Sequence, residues 1–180
     1  MDEIVRQALV KWPNVPACYG WLGLDARGNW YLRDERAQAL GSFAAGSGAG
    51  KGDELKHEKL LGFIGRNYQS DELGQWYFQN GPQRVYVELA ATPLIWRVHA
   101  DFSVHDHLGR PANRQACLLD EQGRLYLQTD VGFGLVHSMD MGHAANAVEQ
   151  GLWPLQDVTA AGLPARFGYV MSPQQLQQQR

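Results

Sequence analysis

Between residues 94 and 104 apolar and polar side chains alternate almost without fault. Leu94, Trp96, Val98, Ala100, Phe102 and Val104 fall on one face. Arg97, His99, Asp101, Ser103 and His105 fall on the other, with Ile95 the one apolar exception. A period of two belongs to a strand with one dry and one wet face, so the run predicts a half-buried strand, long or bent. Elsewhere the period is helical. Ile4, Val5, Ala8, Leu9 and Trp12 recur at helical intervals, with Asp2 and Glu3 at the positive end of that helix and Lys11 at the negative end. Pro13 and Pro16 stop it. Leu60, Phe63, Ile64, Asn67 and Tyr68 mark the inner face of a second helix, with Asp53 as its candidate cap.

Short apolar runs follow one recurring turn. Asp25-Ala-Arg-Gly28-Asn-Trp-Tyr31 returns as Asp71-Glu-Leu-Gly74-Gln-Trp-Tyr77 and as Asp120-Glu-Gln-Gly123-Arg-Leu-Tyr126. In Asp-x-x-Gly the carboxylate caps the backbone ahead of it and glycine takes the positive φ that closes the turn. The first copy predicts a hairpin of Gly20–Leu24 and Asn29–Leu32. The second leads into Trp76–Gln79, which Asn80-Gly81-Pro82 turns back into Arg84–Leu89 before Pro93 breaks it. The third opens Arg124–Thr129, and Val131-Gly132-Phe133-Gly134 is expected to turn it into Leu135–Met139. A short helix is expected over Met141–Gln150, closed by Gly151. Residues 153–170 read as irregular chain packed through Phe167, Tyr169 and Val170, and the polar tail from Ser172 as frayed. The expected fold is α+β, with largely antiparallel sheets built from repeated turn-plus-hairpin units and a few short helices. The expected division is a helix-plus-hairpin sub-domain over 1–92 and a second sheet sub-domain over 93–180, with one compact unit as the alternative.

Residues 41–52, Gly-Ser-Phe-Ala-Ala-Gly-Ser-Gly-Ala-Gly-Lys-Gly, invite comparison with a phosphate-binding loop. Such a loop needs Gly, four residues, Gly, Lys, then Ser or Thr. Here Ala45 stands at the first position and Gly52 follows Lys51, so the hydroxyl that would hold Mg²⁺ is missing and a mobile linker is expected.

Opening on Trp12-Pro-Asn-Val-Pro-Ala-Cys18-Tyr-Gly-Trp-Leu, the chain continues through His57-Glu-Lys-Leu-Leu-Gly-Phe-Ile-Gly-Arg-Asn-Tyr68 and the Asp71-to-Val87 hairpin. It then runs through the strand behind Ala91-Thr92-Pro93 to Leu127-Gln-Thr-Asp-Val131. This pattern resembles a group of uncharacterised proteobacterial proteins that share a domain of unknown function. The resemblance covers about residues 12–150. Its markers are turns and strands, so it implies a fold and carries no functional residue over.

The totals narrow the setting. A net charge of −3 with both signs scattered argues against a nucleic-acid footprint or a polybasic membrane patch. Two cysteines, Cys18 and Cys117, are too few for a disulfide framework and read as inert thiols. An acidic N-terminus without an apolar run, and no stretch near the ~20 apolar residues of a membrane span, lead to the expectation of a soluble cytoplasmic protein.

Two clusters are candidate chemistry. His99, Asp101, His105 and His107 occupy the wet side of the alternating run. His105 and His107, two apart, would stand about 7 Å apart on one face, within reach of a shared Zn²⁺ or Fe²⁺. His99 would lie about 20 Å from His105 in a straight strand and joins them only if the strand bends sharply. The competing reading is a solvated edge strand, with Asp106-His107-Leu108-Gly109 as a turn. The second cluster is aromatic. Trp76, Tyr86 and Trp96, with Arg97 beside them, would bind a planar ligand if they share an outer face, and otherwise build the core. No nucleophile constellation surrounds Ser103 or either cysteine. The expected function is therefore a non-catalytic cytoplasmic module with a regulatory role, one that binds a small molecule or a partner protein without a cofactor. The alternative is a metal-dependent enzyme centred on the histidines. Self-association is left open.

Overall fold

The computed structural model describes residues 1–180, which form two units. Residues 1–25, 29–90 and 169–180 make up the first, and residues 26–28 and 91–168 the second. The fold is α+β with largely antiparallel sheets. No helix is long and apolar enough to cross a membrane.

The first unit begins with α1 (Glu3–Lys11) and continues through β1 (Cys18–Leu24), β2 (Trp30–Leu32), α2 (Glu35–Ala39), β3 (Asp53–Glu54), α3 (Glu58–Arg66), β4 (Tyr68–Ser70), β5 (Trp76–Asn80) and β6 (Gln83–Leu89). Its sheet runs β3-β2-β1-β6-β5-β4, antiparallel except for the central pair β1 and β6. The second unit contains β7 (Leu94–Val98), β8 (Val104–Asp106), β9 (Pro111–Ala112), β10 (Arg114–Leu119), β11 (Leu125–Thr129), β12 (Gly132–Val136), α4 (Met141–Glu149), β13 (Leu155–Asp157) and α5 (Leu163–Phe167). Its sheet runs β13-β10-β11-β12-β7-β8-β9. Counted from the first strand of each unit, both sheets share the order 3-2-1-6-5-4 with strands 1 and 6 parallel at the centre. β13 is an extra edge strand in the second unit, parallel to β10.

A parallel central pair is covered on both faces, and its strands lose their alternation for that reason. Leu94, Ile95 and Trp96 in β7 are all wholly buried, which explains the apolar intruder at Ile95. Gly134 in β12 serves the same pairing. A Cβ there would lie 2.3 Å from the Leu94 carbonyl oxygen, so only glycine lets the two strands meet.

Several expected elements change. The run 94–104 is not one strand but the hairpin of β7 and β8. Its turn is held by bonds from the His99 amide to the Ser103 carbonyl (3.0 Å) and from the Phe102 amide to the His99 carbonyl (2.9 Å). The turn was hidden because Phe102, rather than Gly or Asn, takes the left-handed backbone at φ 65°. The β11–β12 turn is Asp130-Val131, so Gly132-Phe133-Gly134 already belongs to the return strand. The Thr129 hydroxyl fixes this tight turn by accepting from the Val131 amide and donating to the Gly132 carbonyl. Residues 153–170 contain β13 and α5, and the Phe167 ring stacks on Phe133 with centroids 3.8 Å apart.

The tail does not fray. Residues 173–178 form α6 (Pro173–Gln178), capped by Ser172 and joined to the first unit. Leu89 donates its amide to Met171, and Val170 donates to Gly74. The Gly/Ser-rich stretch is held rather than loose. Arg33, wholly buried, donates to the carbonyls of Ala37, Gly41 and Gly50 and so ties α2 to both ends of that loop.

Candidate functional site

The Asp-x-x-Gly turn occurs four times with one geometry. Asp71 Oδ1 accepts from the amides of Leu73 and Gln75, and Oδ2 accepts from the Gln75 side chain. Asp106 and Asp120 make the same set, with the Nε atoms of Arg110 and Arg124 replacing the amide side chain at 2.6 Å and 2.8 Å. Asp25 uses Asn29 in that place. The fourth glycine, Gly109, has φ 83°, beside 83°, 76° and 77° at Gly28, Gly74 and Gly123. The fifth residue of the motif therefore matters as much as the glycine. It sends its side chain back to the aspartate that caps its amide.

One of these turns borders an open groove of about 580 Å³ in the first unit, lined by Ser70, Asp71, Glu72, Leu73, Tyr77 and Arg84. The Asn80-Gly81 turn sets the register of β5 on β6, pairing Tyr77 with Tyr86 and Gln79 with Arg84. Arg84 thereby lies diagonal to Tyr77, and its guanidinium sits 4.6 Å from the centre of that ring. The Tyr86 hydroxyl donates to Asp71 Oδ2 at 3.0 Å, and the Tyr77 hydroxyl accepts from Gln69 at 2.8 Å. Tyr86 is also stacked on Tyr19, with centroids 4.6 Å apart. Burial pushes the Tyr86 phenol up; Arg84 beside it pulls it back, and Asp71 raises it further. Arg84 itself is exposed and belongs to no ion pair. Asp71 accepts four hydrogen bonds, so it is a fixed wall of the groove rather than a free acid or base.

Of the expected aromatic cluster, Trp76 is half-buried at the start of β5 and Tyr86 is buried behind the groove, both in the first unit. Trp96 and Arg97 belong to β7 of the second unit. Trp96 is wholly buried, and its indole donates to the Leu127 carbonyl at 3.0 Å; an indole so placed offers no face to a ligand. Arg97 is spent on Asp140, donating Nε to Oδ2 at 2.6 Å and Nη2 to Oδ1 at 3.2 Å. Asp140 also accepts from the Val98 amide. Burial alone would raise the Asp140 carboxyl, but these bonds and the Arg97 charge outweigh it and hold it low. Tyr77 is one of the strand aromatics that the sequence offers for stacking, but the sequence did not pair it with Arg84. The signal was present in the hairpin register that Asn80-Gly81 dictates.

The histidines separate. The β7–β8 hairpin provides the bend that His99 needed, and His99 Nε2 comes within 3.0 Å of His105 Nδ1. His107 turns elsewhere, its Nδ1 accepting from the Ile95 amide at 3.2 Å. Asp101 lies in the same turn as His99 and accepts from the Ser103 hydroxyl (2.7 Å) and amide (3.0 Å). Those two bonds, with the nearby His99, hold its carboxyl below its ordinary value. No group of three or more His, Cys, Asp or Glu is placed to hold one metal ion.

Both cysteines are free. Burial pushes the Cys117 thiol up to about 11; Cys18 is only half-buried, and its thiol too is raised by burial. Thiolate is the reactive form. A disulfide reagent at pH 8 is therefore expected to titrate a single thiol, Cys18, in the native protein and both in denaturant. Equal fast reaction of two thiols in the native protein would contradict the buried placement of Cys117.

Comparison with known proteins adds the following. The model of the family DUF2944, described as "Protein of unknown function (DUF2946)", matches residues 1–174. No curated protein matches the chain. Among solved structures, a DUF1285 family protein from Shewanella baltica OS155 is 13% identical, with a TM-score of 0.46 over 70% of this chain and 91% of that one. A DUF1285 family protein from Silicibacter pomeroyi DSS-3 is 11% identical, with a TM-score of 0.49 over 81% of this chain and 84% of that one.

Proposed function

The chain belongs to DUF2944, a family of proteins of unknown function, and on that footing we propose that it is a non-catalytic binding module that takes a small planar ligand in the groove of its first unit. The observation that carries this reading is Arg84, exposed, held against the Tyr77 ring and free of any ion pair. A guanidinium resting over an aromatic ring is partly pre-organised before a ligand arrives. It offers a flat face for stacking and in-plane donors for an acceptor on the ligand. The groove volume suits a small molecule. The remaining walls, Ser70 and Glu72, supply one hydroxyl and one carboxylate to orient polar groups. A regulatory role follows if the ligand alters what the unit binds next.

The test is a thermal-shift screen of small planar metabolites, followed by titration of the hits using the fluorescence of Trp76, which opens β5 next to Tyr77. Arg84→Ala is expected to weaken a genuine groove ligand by about tenfold, the scale of one cation–π contact with its hydrogen bonds. Because Arg84 is exposed, the melting temperature of the free protein should stay nearly unchanged. Hits that bind Arg84→Ala as tightly as the wild type would remove the groove from consideration.

A further inference from the structure

The exposed hairpin turn of the second unit points to a different activity. We propose that His99 and His105 form a two-imidazole site for a divalent late first-row cation, Cu²⁺ before the others.

His99 Nε2 and His105 Nδ1 face each other at 3.0 Å with the rings nearly perpendicular, 85° between planes. Imidazole nitrogens bind such cations at about 2.0–2.1 Å, so two of them at a right angle stand about 2.9 Å apart, and at a tetrahedral angle about 3.3 Å. The observed spacing matches the right-angled pair, which is the tetragonal arrangement that Cu²⁺ and Ni²⁺ prefer. Turning each ring so that its lone pair swings about 45° off the line between the two nitrogens directs both toward a common point. His99 is exposed and His105 half-buried, so there is room for those rotations and for waters to complete the coordination.

Protonation is compatible. In the neutral pair one of the facing nitrogens carries a hydrogen. A cation between them requires that ring to move its hydrogen to its other nitrogen, a tautomer change without change of charge. The electrostatics also favour a cation. Asp101 is in the same turn, its carboxylate accepting from the Ser103 hydroxyl and amide. Arg97, the strand partner of His105, has its charge met by Asp140. The strand pairing Arg97 with His105 and Val98 with Val104 fixes the two histidine-bearing positions, so the donors are brought together by the backbone before any metal binds.

The experiment uses the full chain stripped with a chelator and desalted. Cu²⁺, and separately Zn²⁺, is titrated in by calorimetry at pH 7.5. One Cu²⁺ per chain is expected, bound more tightly than Zn²⁺. His99→Gln and His105→Gln should each abolish the stoichiometric uptake, while His107→Gln retains it. Circular dichroism confirms that the variants are folded. A second measurement needs no variant: Cu²⁺ should protect His99 and His105, and not His57, from acylation by diethyl pyrocarbonate. The proposal is overturned if the wild type takes up no stoichiometric Cu²⁺, if uptake survives either replacement, or if protection falls on other histidines.

Discussion

Asp120→Ala is expected to destabilise the second unit by about 3–4 kcal/mol, a loss visible as a melting transition lowered by roughly 10 °C. The carboxylate is wholly removed from solvent and accepts from the amides of Gln122 and Arg124 (2.9 Å each), from Arg124 Nε (2.8 Å) and from the Tyr126 hydroxyl (2.8 Å). Alanine leaves all four donors without that acceptor, and the Tyr126 hydroxyl is buried, so its lost bond is not replaced by water. Burial by itself would raise the Asp120 carboxyl. The hydrogen bonds from Arg124, Tyr126 and Gln122 outweigh it, and the folded-state value lies below the ordinary one. The sign follows from that direction. The stabilisation is present above the unfolded carboxylate value, about 3.9, and is lost as pH falls through the lower folded value. Asp120→Ala should therefore differ most from the wild type at neutral pH and converge with it in strong acid.

The four turns differ in the group that returns to the aspartate. At Asp106 and Asp120 the returning side chain is an arginine, and at Asp25 and Asp71 it is an uncharged amide, from Asn29 and Gln75. Asp→Asn removes a charge that only the arginine turns exploit fully. The replacement should cost more at Asp106 and Asp120 than at Asp25, measured by denaturant melts of the four variants. Equal losses at all four would show that the backbone bonds alone set the strength of the turn.

Three of these turns, at Asp25, Asp71 and Asp120, were legible in the sequence as copies of one pattern because the capping aspartate and the glycine lie within four residues. The fourth, at Asp106, stood only as the competing reading of the histidine cluster. Local signals likewise mark α1, α3 and the Asn80-Gly81 hairpin, namely periodicity, a cap or a turn pair. The β7–β8 turn was not legible, since its left-handed residue is Phe102, and a phenylalanine carries no turn signal. Nor were the two parallel central pairs. β1 meets β6 and β12 meets β7 across tens of residues, and the apolar run at Leu94-Ile95-Trp96 records burial on both faces without naming the partner. The candidate site divides along the same line. The histidines were visible as a cluster, but the hairpin decides that His99 joins His105 and His107 does not. Arg84 and Tyr77 meet through strand register. Buried polar anchors are the least legible class. Arg33 donates Nε and Nη2 to carbonyls as far away as Gly50, and Glu88 accepts from the far end of the chain.

Glu88→Ala is expected to release the C-terminal strap, costing about 2–3 kcal/mol and exposing residues 172–178 to rapid amide exchange. Glu88 is only 2% exposed; its Oε2 accepts from the Ser172 hydroxyl at 2.5 Å and its Oε1 from the Gln174 amide at 3.0 Å. Alanine leaves that amide without its acceptor and frees the Ser172 hydroxyl at the start of α6. The Leu89-to-Met171 and Val170-to-Gly74 bonds still hold the chain before it, so the loosening falls on residues 172–178, where the bond from Gln174 Nε2 to Gln38 remains. Glu88→Gln behaves differently because it keeps the shape and removes the charge. Burial pushes the Glu88 carboxyl up, and the bonds from Ser172 and Gln174 with the more distant Arg33 charge only partly oppose it. A raised folded value means that the folded state holds this proton more tightly than the unfolded chain does. The resulting stabilisation is complete below the unfolded value, about 4.3, and is lost as pH rises through the higher folded value. At pH 7 the ionised Glu88 is therefore a net cost that glutamine avoids. Glu88→Gln should match or exceed the wild type at pH 7 and lose its advantage as the pH falls toward 4.5, the opposite sense to the Asp120 dependence. Melts of both proteins across that range decide the point. A glutamine variant that is markedly less stable at pH 7 would mean that the charge on Glu88, rather than its two hydrogen bonds, holds the strap.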